Sequence, residues 1–465
     1  MLRDIIKKEV LDTITSPKFI FTFLLCTVLI LLSVYTGINS YRAELSEYNA
    51  SLALNKNNLE GAPNYQALAG LGIKISKPPQ VLSTIIAGIQ AAVGRMATVN
   101  VAYDPDLVGS RYDTTPVFAV FGELDLTFVV KIVLSLLAIL FTFDAIVGEK
   151  ERGTLKLSLA NRLPRHRLIL GKAIGGFLSL LLPLVIPLVV ALIMLTLYPD
   201  ISLSGGDWLR IGLIFVLYML YISVFFTLGL FISSRTSSSS ISLLVLLFIW
   251  VTFVTIIPRA AVMVSGQIYP IPSVYEVTAQ KDAFLQEIQG SVPKRLSEWQ
   301  KENSPENTDQ YREKFRKFLE DLQQELTSKI DKKNAAVEEE YQAKRRMQQA
   351  LATNLSRVSP TSTLMFGAMT LGRTGIQEHE RFLNSIKTYK PVFTTWVNAR
   401  MMKSLNLRGG EQPKPDISDM PVHEFKSETL GQSVHSTMVD FTIMLLLVIL
   451  FFTGAFVSFL RYDVR

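Results

Sequence analysis

Six uninterrupted apolar runs organise this chain: residues 19–37, 126–147, 173–198, 209–233, 240–258 and 438–459. A bilayer core is spanned by about 20 residues of helix, so the pattern predicts six transmembrane helices. Together the runs contain only four charges, Lys131, Asp144, Arg210 and Asp440. Each stands within about two turns of a segment end, where it is expected to reach the interface. Ahead of the first run, Leu2, Ile5, Ile6, Val10 and Ile14 recur near a 3.6-residue period, with Arg3, Lys7 and Lys8 between them. That pattern predicts an amphipathic helix lying on the membrane interface within residues 1–18.

The polar stretches divide the rest. Residues 38–125 form a loop in which Val81 to Val93 is mostly apolar but too short to span; it is expected to be a helix packed on the membrane face or on a second external domain. Residues 259–437 form the largest polar segment. Between Thr308 and Ser356 there is no Pro or Gly, and Phe315, Leu319, Leu322, Leu326 and Ile330 step by three or four. One helix there would extend about 70 Å, and a break at Lys332-Lys333-Asn334 would fold it into a hairpin. A further helix is expected over 377–403. Pro183 and Pro187 predict a kink in the third span. The fold expected is an all-α polytopic membrane protein with a large, mainly helical extracytoplasmic domain.

Composition sharpens this picture. Charged residues make up 19% of the chain, against about 25% in soluble domains. A soluble enzyme, a nucleic-acid-binding protein and a disordered tail are thereby excluded. The net charge of +7 is a matter of topology. Segments 1–18, 148–172, 234–239 and 460–465 hold 14 Lys/Arg between them, whereas loop 199–208 holds none and the longer 38–125 holds 6. The positive-inside rule then places both termini in the cytoplasm, N-in and C-in. Loop 259–437, with 25 Lys/Arg and 22 Asp/Glu, is long enough to translocate regardless of charge. The first run follows Asp4, Glu9 and Asp12 and precedes no cleavage motif, so it is expected to be retained as a membrane helix. The one cysteine, Cys26, lies inside it.

Catalytic chemistry is not evident. No Gly-rich loop ends in Lys and Ser/Thr. Leu203-Ser204-Gly205-Gly206-Asp207 resembles the signature loop of ATP-binding-cassette ATPases, but it stands between two spans with no phosphate loop to complement it. His166, His379, His423 and His435 have no ligand-like spacing, so no metal is expected. Asp144 and Asp440 are expected to solvate at opposite ends of their helices, the first inner and the second outer. The most informative stretch is 143–172. Gly148 and Gly153 bracket a charged turn there, Thr154 with Leu155, Leu157 and Leu159 starts a small amphipathic element, and Pro164 ends it. A short rigid element joined to two spans suits a mechanical lever.

Gly148-Glu149-Lys150-Glu151-Arg152-Gly153-Thr154-Leu155, with Pro164-Arg165 and Leu170-Gly171-Lys172, closely resembles the inner loop of type-2 ATP-binding-cassette exporter permeases. Ser359-Pro360-Thr361 and the terminal Phe459 to Arg465 are similar to the habits of a subset with large external insertions. Simple members keep a short re-entrant hairpin between the fifth and sixth helices, where this chain carries the whole of 259–437; 259–275 is where that hairpin would fall. The resemblance implies a permease without an ATPase site, its ATP held by a separate cytosolic ATPase that docks on the 148–172 loop. The coupling residues it selects are Gly148, Glu149, Glu151, Gly153, Thr154 and Arg165. It implies a second permease copy or paralogue, a bacterial cytoplasmic (inner) membrane location and an envelope protein as a further expected partner. No nucleic acid and no cofactor in this chain are expected. The competing reading is a non-transporting anchor or platform of an envelope or motility complex.

Overall fold

The computed structural model describes residues 2–90, 92–101, 105, 107–108, 124–156, 164–303, 308–405 and 414–462. Its elements run α1 (Leu2–Ile14), α2 (Pro17–Glu60), α3 (Tyr65–Leu71), β1 (Ile73–Ser76), β2 (Met96–Val99) and β3 (Leu107–Val108). They continue as α4 (Leu126–Glu151), α5 (Arg165–Thr196), α6 (Gly205–Arg235) and α7 (Ser239–Ile268). The last are α8 (Val274–Glu302), α9 (Thr308–Ser356), α10 (Pro360–Gly372), α11 (Ile376–Leu405) and α12 (Leu430–Leu460). The six helices α2, α4, α5, α6, α7 and α12 are each long and apolar enough to cross a membrane. The molecule is thus a nearly all-helical polytopic membrane protein.

Two compact units divide the chain, Met1–Thr255 with Ser359–Arg465, and Ile256–Val358. In the first, α6 is the hub. Its Tyr218, Tyr221 and Phe225 are among the largest fully buried side chains, and it packs against α4, α10 and α12. Helix α6 begins at the Leu203-Ser204-Gly205-Gly206-Asp207 segment, whose role is mechanical. Ser204 Oγ accepts from the Asp207 amide, and the Asp207 carboxylate accepts from the Ser204 amide, a reciprocal capping box that satisfies two otherwise orphaned donors.

Helix ends differ from the ends of the apolar runs, because lipid solubility stops before the backbone geometry does. Helix α2 continues past residue 37 as far as Glu60. Helix α12 starts at Leu430, capped by Thr429 and Gln432, two turns ahead of its apolar run. Asp440 therefore lies well inside the helix and is 1% exposed, correcting the expectation that it solvates at the outer end. Ser433, Thr437 and Asp440 form a buried polar stripe. Arg210 likewise turns inward instead of reaching the interface.

The apolar stretch Val81–Val93 does not form the expected helix. A single 3₁₀ turn covers Val81–Thr84, and Gly88 then adopts φ 62° against Thr374. A Cβ at Gly88 would overlap the Thr374 main chain and side chain, so only glycine fits this reversal. Strands β1, β2 and β3 form a small antiparallel sheet. It shares a separate core with Leu68 of α3 and Phe382, Phe393 and Val397 of α11. Helix α3, the sheet and α11 thus build one layer together, with Ile417, Met420 and Phe425 packed against it.

In the second unit, Thr308–Ser356 is one unbroken helix through Lys332-Lys333-Asn334. Its hairpin partner is α8. Trp299 stacks on Phe318 and packs at a tilt against Tyr311 and Phe315, with ring centroids 5.1–5.4 Å apart. Arg295 pairs with Glu325, and Lys281 with Glu338.

Helix α10 is 13 residues long, about 20 Å, too short to cross a hydrocarbon core of about 30 Å. It runs alongside the first half of α6: Thr361 meets Tyr221, midway along α6, and Arg373 meets Asp207 at the start of α6. Residues 259–268, the first part of the 259–275 stretch where the hairpin would fall, instead continue α7.

Candidate functional site

From the last turn of α4 to the start of α5, most of the described charged residues are clamped. Glu149 Oε1 lies 2.7 Å from Lys172 Nζ, and Glu9 Oε1 of α1 lies 2.8 Å from the same nitrogen. Lys172 is 7% exposed, so one buried cation ties α1, the loop and α5. The sequence provides for this approach by placing Gly171 and Gly175 one turn apart on α5. A Cβ at Gly175 would meet Glu9 at 2.8 Å, and one at Gly171 would overlap Ile5. Small residues at this spacing let two backbones close up.

Lys150 donates to the carbonyls of Ser234 and Thr236, and its ammonium stands 4.7 Å over the Tyr462 ring. Glu151 accepts from the amide and hydroxyl of Ser239 at the start of α7. Arg165 Nη1 donates to the carbonyls of Leu460 and Tyr462 at the end of α12. Ser233 Oγ accepts from the amides of Ile146 and Val147, satisfying backbone donors freed where α4 breaks at residues 143–146. Asp144 pairs with Lys18 at 3.4 Å and remains partly exposed.

Of the residues singled out by the motif, then, Glu149, Glu151 and Arg165 are structural ties to three different elements. Thr154 donates to the Glu149 carbonyl and is exposed, as are Arg152 and Lys156. Gly153 adopts φ 71° with open space around it. Gly148 has an ordinary helical setting in which a Cβ would make only normal contacts. Residues 157–163 lie outside the described residues, so Leu157 and Leu159 are not placed. The pairings of the loop with Glu9 and Ser239, and of Glu149 with Lys172 within the motif, escaped sequence reasoning because no local spacing announces them.

A second polar system is buried between α4, α6, α7 and α10. Trp250 Nε1 donates to Ser135 Oγ at 2.9 Å, and Ser135 Oγ donates to the Lys131 carbonyl. Tyr221 also donates to that carbonyl and meets Thr361 Oγ1 at 3.1 Å. Both flanking spans are wound locally as π-helix, at Val129–Leu134 in α4 and at Thr252–Ile256 in α7. A π turn leaves carbonyls short of their α-helical donors, and these side chains supply replacements. At the far end of α6, Arg210 donates to the carbonyls of Leu371 and Glu428 and to Ser433 Oγ, all within 2.8–2.9 Å. Its charge there meets the C-terminal carbonyl end of α10.

Among the described residues no group of three His, Cys, Asp or Glu side chains could hold a metal ion. The charged ties join α1, α5, α7 and α12 to the segment around residues 148–154.

The family model for ABC-2 family transporter proteins matches residues 3–464. A curated relative, "Probable ABC transporter permease protein NosY" from Pseudomonas aeruginosa, is 36% identical over 148 residues. That match covers 30% of this chain and 52% of the relative, so the chain spans about half the length of the curated relative it matches. The chain belongs to the ABC-2 family of transporter proteins, as a polytopic, permease-type member.

Proposed function

We propose that the chain is the membrane subunit of an exporter of the bacterial inner membrane, driven by a separate cytosolic ATPase. Two copies, identical or paralogous, would form the path. The observation that carries this reading is Lys172, which holds Glu9 and Glu149 together. A push on the 148–156 loop therefore reaches α1 and α5 as one body. The ties of Glu151 to α7 and of Arg165 to α12 extend the same push to two further spans. With the charged ties engaged inside the chain, the ATPase contact falls to exposed Arg152, Thr154 and Lys156 around the Gly153 turn.

Export, as opposed to import, rests on likeness of the loop to exporter permeases. The large segment between α7 and α12 supports grouping the chain with permeases that carry an extended extracytoplasmic part, which would receive or hand over cargo. Helices α7 and α12 bury only 17% of their membrane windows within the chain, leaving apolar faces for lipid and a second copy.

The test is purification of the tagged full chain from native membranes, with Thr154→Asp and Lys156→Glu variants alongside. Loss of the co-purifying ATPase at unchanged thermal stability is expected. Full retention of the ATPase in both variants would overturn the docking assignment, and absence of any ATPase from the wild-type preparation would favour a non-transporting platform.

A further inference from the structure

At the end of the bundle that carries the polar loop, residues of α6 and α12 line a trough of about 660 Å³. Phe231 closes its floor: Gly454 sits against that ring so closely that a Cβ would meet it at 2.9 Å. Leu450 and Val457, 62% and 39% exposed, line its apolar wall. Arg235 and Arg461 stand at its mouth, both exposed and neither with an acidic partner among the described residues. From Leu450 to Arg461 the helix rises about 16 Å, which matches one leaflet of a hydrocarbon core about 30 Å thick.

We propose that this trough is a binding site for an anionic phospholipid, its acyl chain along Leu450, Phe231 and Val457 and its phosphate between Arg235 and Arg461. The chemistry follows from the arrangement. Two guanidiniums at headgroup depth give a phosphate ester bidentate donors, and basic pockets between helices at a membrane surface recognise anionic headgroups. A water-soluble partner could reach the arginines but not a wall that descends through a leaflet. A second copy of the chain fits poorly. A two-fold contact brings the same patch of both copies together, which would set four unpaired guanidiniums at one depth.

The experiment compares the full chain, purified in neutral detergent, with Arg235→Gln/Arg461→Gln and with Val457→Trp. Native mass spectrometry counts bound phosphatidylglycerol and phosphatidylcholine after titration with each. The wild type is expected to retain phosphatidylglycerol preferentially. The double variant should lose roughly tenfold or more of that affinity, with phosphatidylcholine unchanged, since each surface cation contributes a severalfold preference for anionic lipid. Val457→Trp, which fills the trough and keeps both charges, should lose retention of phosphatidylglycerol as well. Equal retention by all three proteins would overturn the site. So would protection of the wild type by inorganic phosphate alone, which assigns it to a soluble anion, or efficient disulfide dimerisation of Ser458→Cys, which assigns the trough to a second copy.

Discussion

Ser359 donates its hydroxyl hydrogen to the main-chain carbonyl of Phe253 while its oxygen caps the amides of Thr361 and Ser362. One fully buried side chain thus starts the half-helix α10 and fastens it to the π turn of α7. The reason a donor is needed lies in the sequence. In π geometry a carbonyl looks to the amide five residues on, and for Phe253 that residue is Pro258, which has none.

Replacing Ser359 by Ala removes the cap and orphans the carbonyl. Loss of an N-cap costs about 1 kcal/mol, and an unsatisfied buried carbonyl costs about 1–3 kcal/mol. Thermal unfolding of the full chain in detergent should register a combined loss of about 2 kcal/mol or more. A change within about 0.5 kcal/mol, the range of an inconsequential surface substitution, would mean that the π turn finds another donor, and the fastening role would be abandoned.

Much of this architecture was legible from the chain because six apolar runs, each long enough to cross a bilayer, leave no alternative to spanning helices. The sheet was not. Ile73-Lys74-Ile75-Ser76 and Met96-Ala97-Thr98-Val99 each offer only four alternating positions, too few to outweigh the helical composition around them. Helix α10 escaped notice for a related reason: its 13 residues are apolar but short of a span. The loop motif was visible as a charged turn between Gly148 and Gly153, but the ion pair of Glu149 with Lys172 joins positions that no local spacing connects. Arg210 and Asp440 depart from expectation because proximity to the end of an apolar run is not proximity to water. Their actual surroundings are set by α10, which returns into the bundle next to them.

The two glycines of the loop motif should respond differently. Gly153 lies in the left-handed region at φ 71°, where a Cβ costs roughly 1–2 kcal/mol. Gly148 is in a right-handed helical turn, and a Cβ there would lie no closer than 3.4 Å to any neighbour. Gly153→Ala is therefore expected to open the turn and raise hydrogen exchange across 148–156. Gly148→Ala should leave exchange unchanged or reduce it, as helix propensity favours Ala. The reverse ranking would show that the motif's glycines serve a partner and not the turn.

Stability of the layer built from α3, the sheet and α11 should rise with pH in two windows. Burial lowers Lys77 to about 8 from its ordinary 10.5, despite the nearby carboxylates of Glu378 and Glu44. Between those values the unfolded chain holds a proton that the folded protein does not, so stability increases as pH rises through the window. His423, lowered by burial beside Ser385, acts in the same sense. Stability falls as pH drops below its ordinary value near 6.5. Trp396, packed against Tyr65 in this layer, gives a fluorescence signal for unfolding. Lys77→Met should flatten the alkaline slope alone, and His423→Gln the acidic slope alone. Slopes that persist in these variants would assign the titrations elsewhere.

The Lys172 junction makes the sharpest demand. With Lys172 at 7% exposure and two carboxylates within 2.8 Å, Lys172→Met leaves Glu9 and Glu149 facing one another uncompensated. Breaking a buried pair on one side costs about 3–5 kcal/mol. Glu149→Gln spares the Lys172–Glu9 pair and should cost less. Because the two substitutions remove one shared interaction, the double variant should be less destabilised than the sum of the singles, by about 0.5–3 kcal/mol. Helix α1 supplies an independent reading. Its amides from Leu2 to Ile14 should lose protection from hydrogen exchange in Lys172→Met and keep most of it in Glu149→Gln. Additive stabilities, with α1 protected alike in both variants, would show that the N-terminal helix is held by Ile5 and Ile6 packing alone and that the loop does not pull on it.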